Sequence, residues 1–66
     1  MCQIRVVVEE NEGEQLVLEN VTRLDVVEQG IRLSSFFEEP VMVDHGVVKH
    51  IDFLDGKVVL ARKNGA

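Results

Sequence analysis

VVKHIDFLDGKVVLA, residues 47–61, decides the fold. Val47, Lys49, Ile51 and Phe53 recur at every second position, the spacing of a strand with one face buried. Asp55-Gly56 follows, the strongest tight-turn signal in the chain, and Lys57, Val58, Val59, Leu60 and Ala61 come after it. The segment therefore predicts a β-hairpin.

Working outward, the same period of two returns. Ile4, Val6 and Val8 share a parity, and Cys2 shares it too, so a strand over 2–8 is expected with Cys2 at its lip. Glu10-Asn11-Glu12-Gly13-Glu14 has the polar and glycine content of a hairpin loop. Leu16 and Leu18 are then expected on one face of a strand over 15–19. Asn20 turns the chain, Leu24 and Val26 mark a third strand ending near Gln29-Gly30, and Ile31, Leu33 and Ser35 mark a fourth. Val21, Leu24 and Val27 also fall at helical spacing, but β-branched residues dominate this short segment and favour the strand. The stretch FFEEPVMVDHG, residues 36–46, reads as a loop with a short edge strand at Val41 to Val43, because Pro40 cannot donate to a ladder. Asn64-Gly65-Ala66 has no apolar anchor. One small domain over 1–63 with a flexible tail over 64–66 is expected. The fold class is all-β, a small, strongly curved antiparallel sheet or an SH3/Sm-like barrel of about six strands.

The 66 residues are 45% hydrophobic, with three phenylalanines and no tryptophan or tyrosine, so the core rests on Val, Leu and Ile. A core this small gains from a partner subunit, and a homodimer is expected. Gln3, Arg5, Glu9 and Glu10 interrupt the first apolar run, so it does not read as a signal peptide. With one cysteine, no disulfide can form within the chain, and the expected compartment is the cytoplasm. No segment has the roughly 20 consecutive apolar residues of a membrane-spanning helix.

A formal charge of −5, basic residues scattered along the chain and no tyrosine or tryptophan for base stacking all oppose nucleic-acid binding. The acidic runs around Glu9–Glu14 and at Glu38-Glu39 read as solvated loops. Glycine-rich phosphate loops, CxxC pairs, HExxH helices and nucleophile motifs are all missing, so the chain is not read as an enzyme. His45 and His50 lie five positions apart, which on one strand sends them to opposite faces, so they are reserve ligands only.

Cys2 admits three readings. It is a small hydrophobe without a special role, a redox-active or accidental surface thiol, or a metal ligand. For the last, removal of Met1 would leave an amine and a thiolate on one residue, which close a five-membered ring around a metal. The adjacent amide nitrogen of Gln3 would be a strong-field donor suited to square-planar Ni(II) or Cu(II). A two-fold dimer that brings two Cys2 thiolates together would complete four positions.

The opening MCQIRVVV, the glycine-containing loop near residue 13, and SSFFEEPVMVDHGVVKHIDFLDGKVVL together resemble the CooT family of small nickel-binding accessory proteins associated with carbon monoxide dehydrogenase maturation. The resemblance covers practically the whole chain. It implies that the cysteine after the initiator, here Cys2, is the residue tied to nickel. It further implies a homodimeric metallochaperone or nickel buffer that supplies Ni(II) to the nickel-iron-sulfur cluster, with the dehydrogenase or its other maturation factors as partners. Two alternatives remain: an Sm-like RNA-binding module, and a metal-independent interaction module that docks through a sheet edge or the Phe36-Phe37 loop.

Overall fold

Alternating Val, Ile and Leu side chains form a strand near each predicted segment, although the first begins at Arg5, after Gln3 and Ile4, and the sixth ends at Asp52, before Phe53. The computed structural model describes residues 3–62. The strands are β1 (Arg5–Glu10), β2 (Gly13–Leu18), β3 (Val21–Val27), β4 (Gly30–Ser35), β5 (Val41–Asp44), β6 (Gly46–Asp52) and β7 (Lys57–Arg62). No helix occurs among the described residues, and so none long and apolar enough to cross a membrane. The expected Cys2 position and the 64–66 tail lie outside them.

The all-β expectation is met by seven strands in two sheets rather than a closed ring. One sheet has the order β2-β1-β7-β6, the other β3-β4-β5. All neighbours are antiparallel except β1 and β7, which run parallel from Arg5↔Lys57 to Glu9↔Ala61 and so join the two ends of the chain. Residues 21–27 form a strand and not the competing helix. Val41 begins a four-residue edge strand, as expected.

The core is the layer between the sheets. Val6, Val8, Leu18, Val58 and Leu60 of the larger sheet meet Ile31, Leu33 and Val43 of the smaller one, with Ile4, Val17, Val21, Leu24 and Val41 packed around them. At about 1.5–3 kcal/mol for each fully buried aliphatic side chain, this layer supplies the main stabilisation. None of the three phenylalanines belongs to it; Phe36, Phe37 and Phe53 are each more than 80% exposed.

Three register shifts interrupt the ladders, and those in β2 and β6 correct the expected alternation. Val6 pairs with Leu18 but Val7 with Leu16, so Val17 is an extra residue in β2. Leu16 therefore leaves the face it was expected to share with Leu18 and stands exposed on the outer side. In β6, Val48 pairs with Leu60 and His50 with Val59, leaving Lys49 as the bulge. Val48 and Ile51 thus share the inner face, in place of the expected Val47, Lys49 and Ile51. A bulge and a lysine on an edge strand also discourage unwanted strand pairing.

Val7 and Val59 are buried although they face away from the core. Two ion pairs cross this outer face. The Lys57 ammonium lies 2.6 Å from Glu14 with β1 between their strands, and Lys49 reaches Glu9 with β7 between theirs. Lysine stems that span a strand in this way can shield apolar surface while the charge stays wet. The ion pairs themselves are partly exposed and contribute little.

Backbone bonds at the strand ends fix which loops gather at which end. Val21 N–H donates to Ile4 C=O and Arg5 N–H to Gly56 C=O, each at 2.9 Å. Val21 also pairs with Ser35. Residues 19–20, the start of the 36–40 loop and the 53–56 turn therefore share the end of the fold from which Gln3 leaves. The Asn11-Glu12 turn, the Glu28-Gln29 turn and His45 lie at the opposite ends of the same strands.

Candidate metal centre

Of the two predicted ligand residues, Cys2 lies outside the described residues and Gln3 opens them. Gln3 is exposed and precedes β1 by two residues. It lines a cleft of about 130 Å³ with Ile4, Arg5, Glu19 and Asn20. The left-handed Asn20 (φ 58°) turns the chain there between β2 and β3, a conformation asparagine tolerates better than most residues.

The 53–56 turn is built against this segment. Gly56 has φ +68°, and a Cβ there would stand 2.7 Å from the Gln3 carbonyl oxygen. Glycine is needed for both the dihedral and the approach. Gly56 N–H donates to Asp52 C=O at 2.9 Å and Asp55 N–H to Asp52 Oδ1 at 3.0 Å, which closes the turn. Arg5 then locks it from β1: Nη2 donates to Asp55 Oδ2 at 2.9 Å and Nη1 to Asp55 C=O at 3.4 Å. The result is a fixed platform beside residue 3 that presents Phe53 and Leu54, 82% and 102% exposed, to solvent. Sequence reasoning found the Asp55-Gly56 turn but not its place beside Gln3, because a parallel β1–β7 pairing across some fifty residues carries no local signal.

The reserve ligands are not brought to this end. His45 occupies the corner between β5 and β6 in the left-handed region (φ 62°), with its N–H donating to Gln29 C=O at 2.7 Å. His50 sits within β6 opposite Val59. No group of three or more His, Cys, Asp or Glu side chains suited to a metal occurs among the described residues. A larger cleft, about 470 Å³, lies at the far end of β1 and β7 among Glu9, Glu10, Asn11, Glu12, Ala61 and Arg62.

Charge is paired across the surface. Five of the six basic residues described, Arg5, Arg23, Arg32, Lys49 and Lys57, engage carboxylates. Asp25 takes two of them. Partial desolvation acts to raise its pKa, but hydrogen bonds and charge from Arg23 and Arg32 outweigh that and hold it below 3.8. A continuous basic track for a phosphate backbone does not form among these residues.

Comparison with known proteins follows the same outline. Residues 1–61 match the profile of the family described as CooT, CO dehydrogenase accessory protein. A crystal structure from Carboxydothermus hydrogenoformans, provisionally assigned as CooT, superposes with a TM-score of 0.83 at 24% identity, covering 96% of this chain and 100% of that one. At that identity the likeness speaks for the fold. Among curated proteins none matches.

Proposed function

The chain belongs to the CooT family of CO dehydrogenase accessory proteins, and from that premise we propose that it is a non-catalytic Ni(II) carrier for maturation of the enzyme's nickel-iron-sulfur cluster. It acts in the cytoplasm as a homodimer and holds the metal as cargo, as a metallochaperone or nickel buffer. The ligands are the Cys2 thiolate and the Gln3 amide nitrogen. A thiolate and a deprotonated amide from each of two copies make a four-coordinate N₂S₂ set that suits square-planar Ni(II). With Met1 removed, the Cys2 amine is an alternative nitrogen donor to the Gln3 amide in that set.

The observation that supports this reading is the exposed residue Gln3 beside the 53–56 turn that presents Phe53 and Leu54. Gln3 stands at an exposed end of the fold whose 53–56 turn carries apolar surface that a second copy can cover. Two features that looked separate, a small core in need of a partner and a lone thiol short of ligands, have one solution in a two-fold contact there. The RNA-binding alternative is weaker, since the paired lysines and arginines leave few charges for phosphate.

Protons compete for these donors. Nickel affinity is expected to fall at least about tenfold from pH 7.5 to pH 6.5, because each thiol must lose a proton to bind. Titration by isothermal calorimetry across that range reads it. A flat profile would contradict a thiolate and amide donor set.

A further inference from the structure

The end of the fold that carries Gln3 has two exposed apolar loops, and their electrostatics differ. On the 53–56 turn, Asp55 is neutralised by Arg5 and Asp52 accepts the Asp55 N–H. That platform can face a copy of itself. The other loop, Phe36-Phe37-Glu38-Glu39-Pro40, has no such compensation. Glu38 and Glu39 are exposed and form no ion pair among the described residues.

Phe36 and Phe37 are 81% and 84% exposed, and their rings pack edge to face on each other at 6.2 Å rather than on the core. Two adjacent aromatics left in water add almost nothing to the core and are typical of a contact centre. A self-contact centred on this loop would bring four carboxylates together, because a two-fold interface repeats each residue. Charge therefore selects a different occupant.

We propose that the Phe36–Pro40 loop docks onto CO dehydrogenase, into an apolar pocket rimmed by lysine or arginine, while the second copy uses the Phe53-Leu54 side. The accessory role identifies the enzyme as partner; the loop's own chemistry sets the pocket. Because both loops lie at the end from which residue 2 emerges, docking brings the cargo end of the carrier to the enzyme.

The test measures binding of purified nickel-free CO dehydrogenase to the immobilised protein, with and without bound Ni(II), at 50 and 300 mM salt. The variants are Phe36→Ser with Phe37→Ser, and Glu38→Lys with Glu39→Lys. Both lie in an exposed loop outside the core, and circular dichroism melts verify their folding. Each double variant is expected to weaken binding at least about tenfold, as aromatic anchors and desolvated rim charges do. The unaltered protein should bind more weakly at the higher salt, with subunit number and nickel affinity the same in all three. Unchanged binding by both variants, or no binding by the unaltered protein, overturns the proposal. So does loss of the dimer in either variant, which would assign the loop to the second copy. Enzyme binding by an unaltered protein that takes up no nickel would sustain the docking surface and overturn the cargo reading alone.

Discussion

Cys2→Ser is expected to lower Ni(II) affinity at least about a hundredfold, equivalent to about 2.8 kcal/mol. Serine keeps the size of the side chain but replaces a soft thiolate with a hydroxyl that stays protonated at neutral pH. If the ligand set is shared between two copies, both lose a donor in the variant, and the remaining amides have no anchor to hold the ion in place. Fold stability should move by no more than about 0.5 kcal/mol, since the interlayer core is assembled from Ile4 onward. The two effects separate cleanly. A variant that unfolds before it can be titrated would mean that the side chain is structural; one that binds nickel as before would remove Cys2 from the site.

Gly30→Ala should have the opposite signature, a large loss of stability. Gly30 opens β4 with φ +152° and lies between β3 and β5, paired with Val27 on one side and Asp44 on the other. A Cβ there would stand 2.1 Å from Val43 C=O, 2.9 Å from the His45 nitrogen and 3.1 Å from the Gly46 nitrogen. All three are backbone atoms at the corner where β5 turns into β6. No side-chain rotation relieves the overlap, so the corner itself must move, taking with it the seating of Val43 in the core. The expected cost is about 3 kcal/mol or more, combining a conformation closed to alanine with a displaced strand. Set against a total of about 3–10 kcal/mol for a domain of this size, that leaves a large unfolded fraction at 37 °C. Urea unfolding at 25 °C measures it, and a midpoint like that of the unaltered protein would contradict the close approach of β4 to the corner.

These two residues also mark the limits of what local pattern conveys. Alternation located the strands, and Asp55-Gly56 located the last turn, because both are decided within a few residues. Gln29-Gly30 was legible as a turn. Its second role, admitting a third strand's backbone at contact distance, was not, since that depends on residues 43–46. The bulges at Val17 and Lys49 escaped for a related reason: an extra residue in a strand is visible only against its partner. Leu16 was thus expected inside and is outside. The phenylalanines show the converse. Phe53 shares a parity with Ile51, but the strand ends at Asp52 and the turn carries the ring out to solvent. On the site, the family resemblance supplied Cys2, and bonding chemistry supplied Gln3. Arg5, Asp55 and Gly56, which fix the platform beside Gln3, follow from pairing the first strand with the last.

The central claim is that a thiolate at the second position, joined by that of a second copy, holds one nickel ion. Non-denaturing mass spectrometry with and without Ni(II) tests it most directly, since subunit number, metal count and the state of Met1 are read from one spectrum. The account predicts a species of two chains with one nickel ion, lost in Cys2→Ser. No nickel uptake, one ion on each isolated chain, or the same uptake by Cys2→Ser would contradict it.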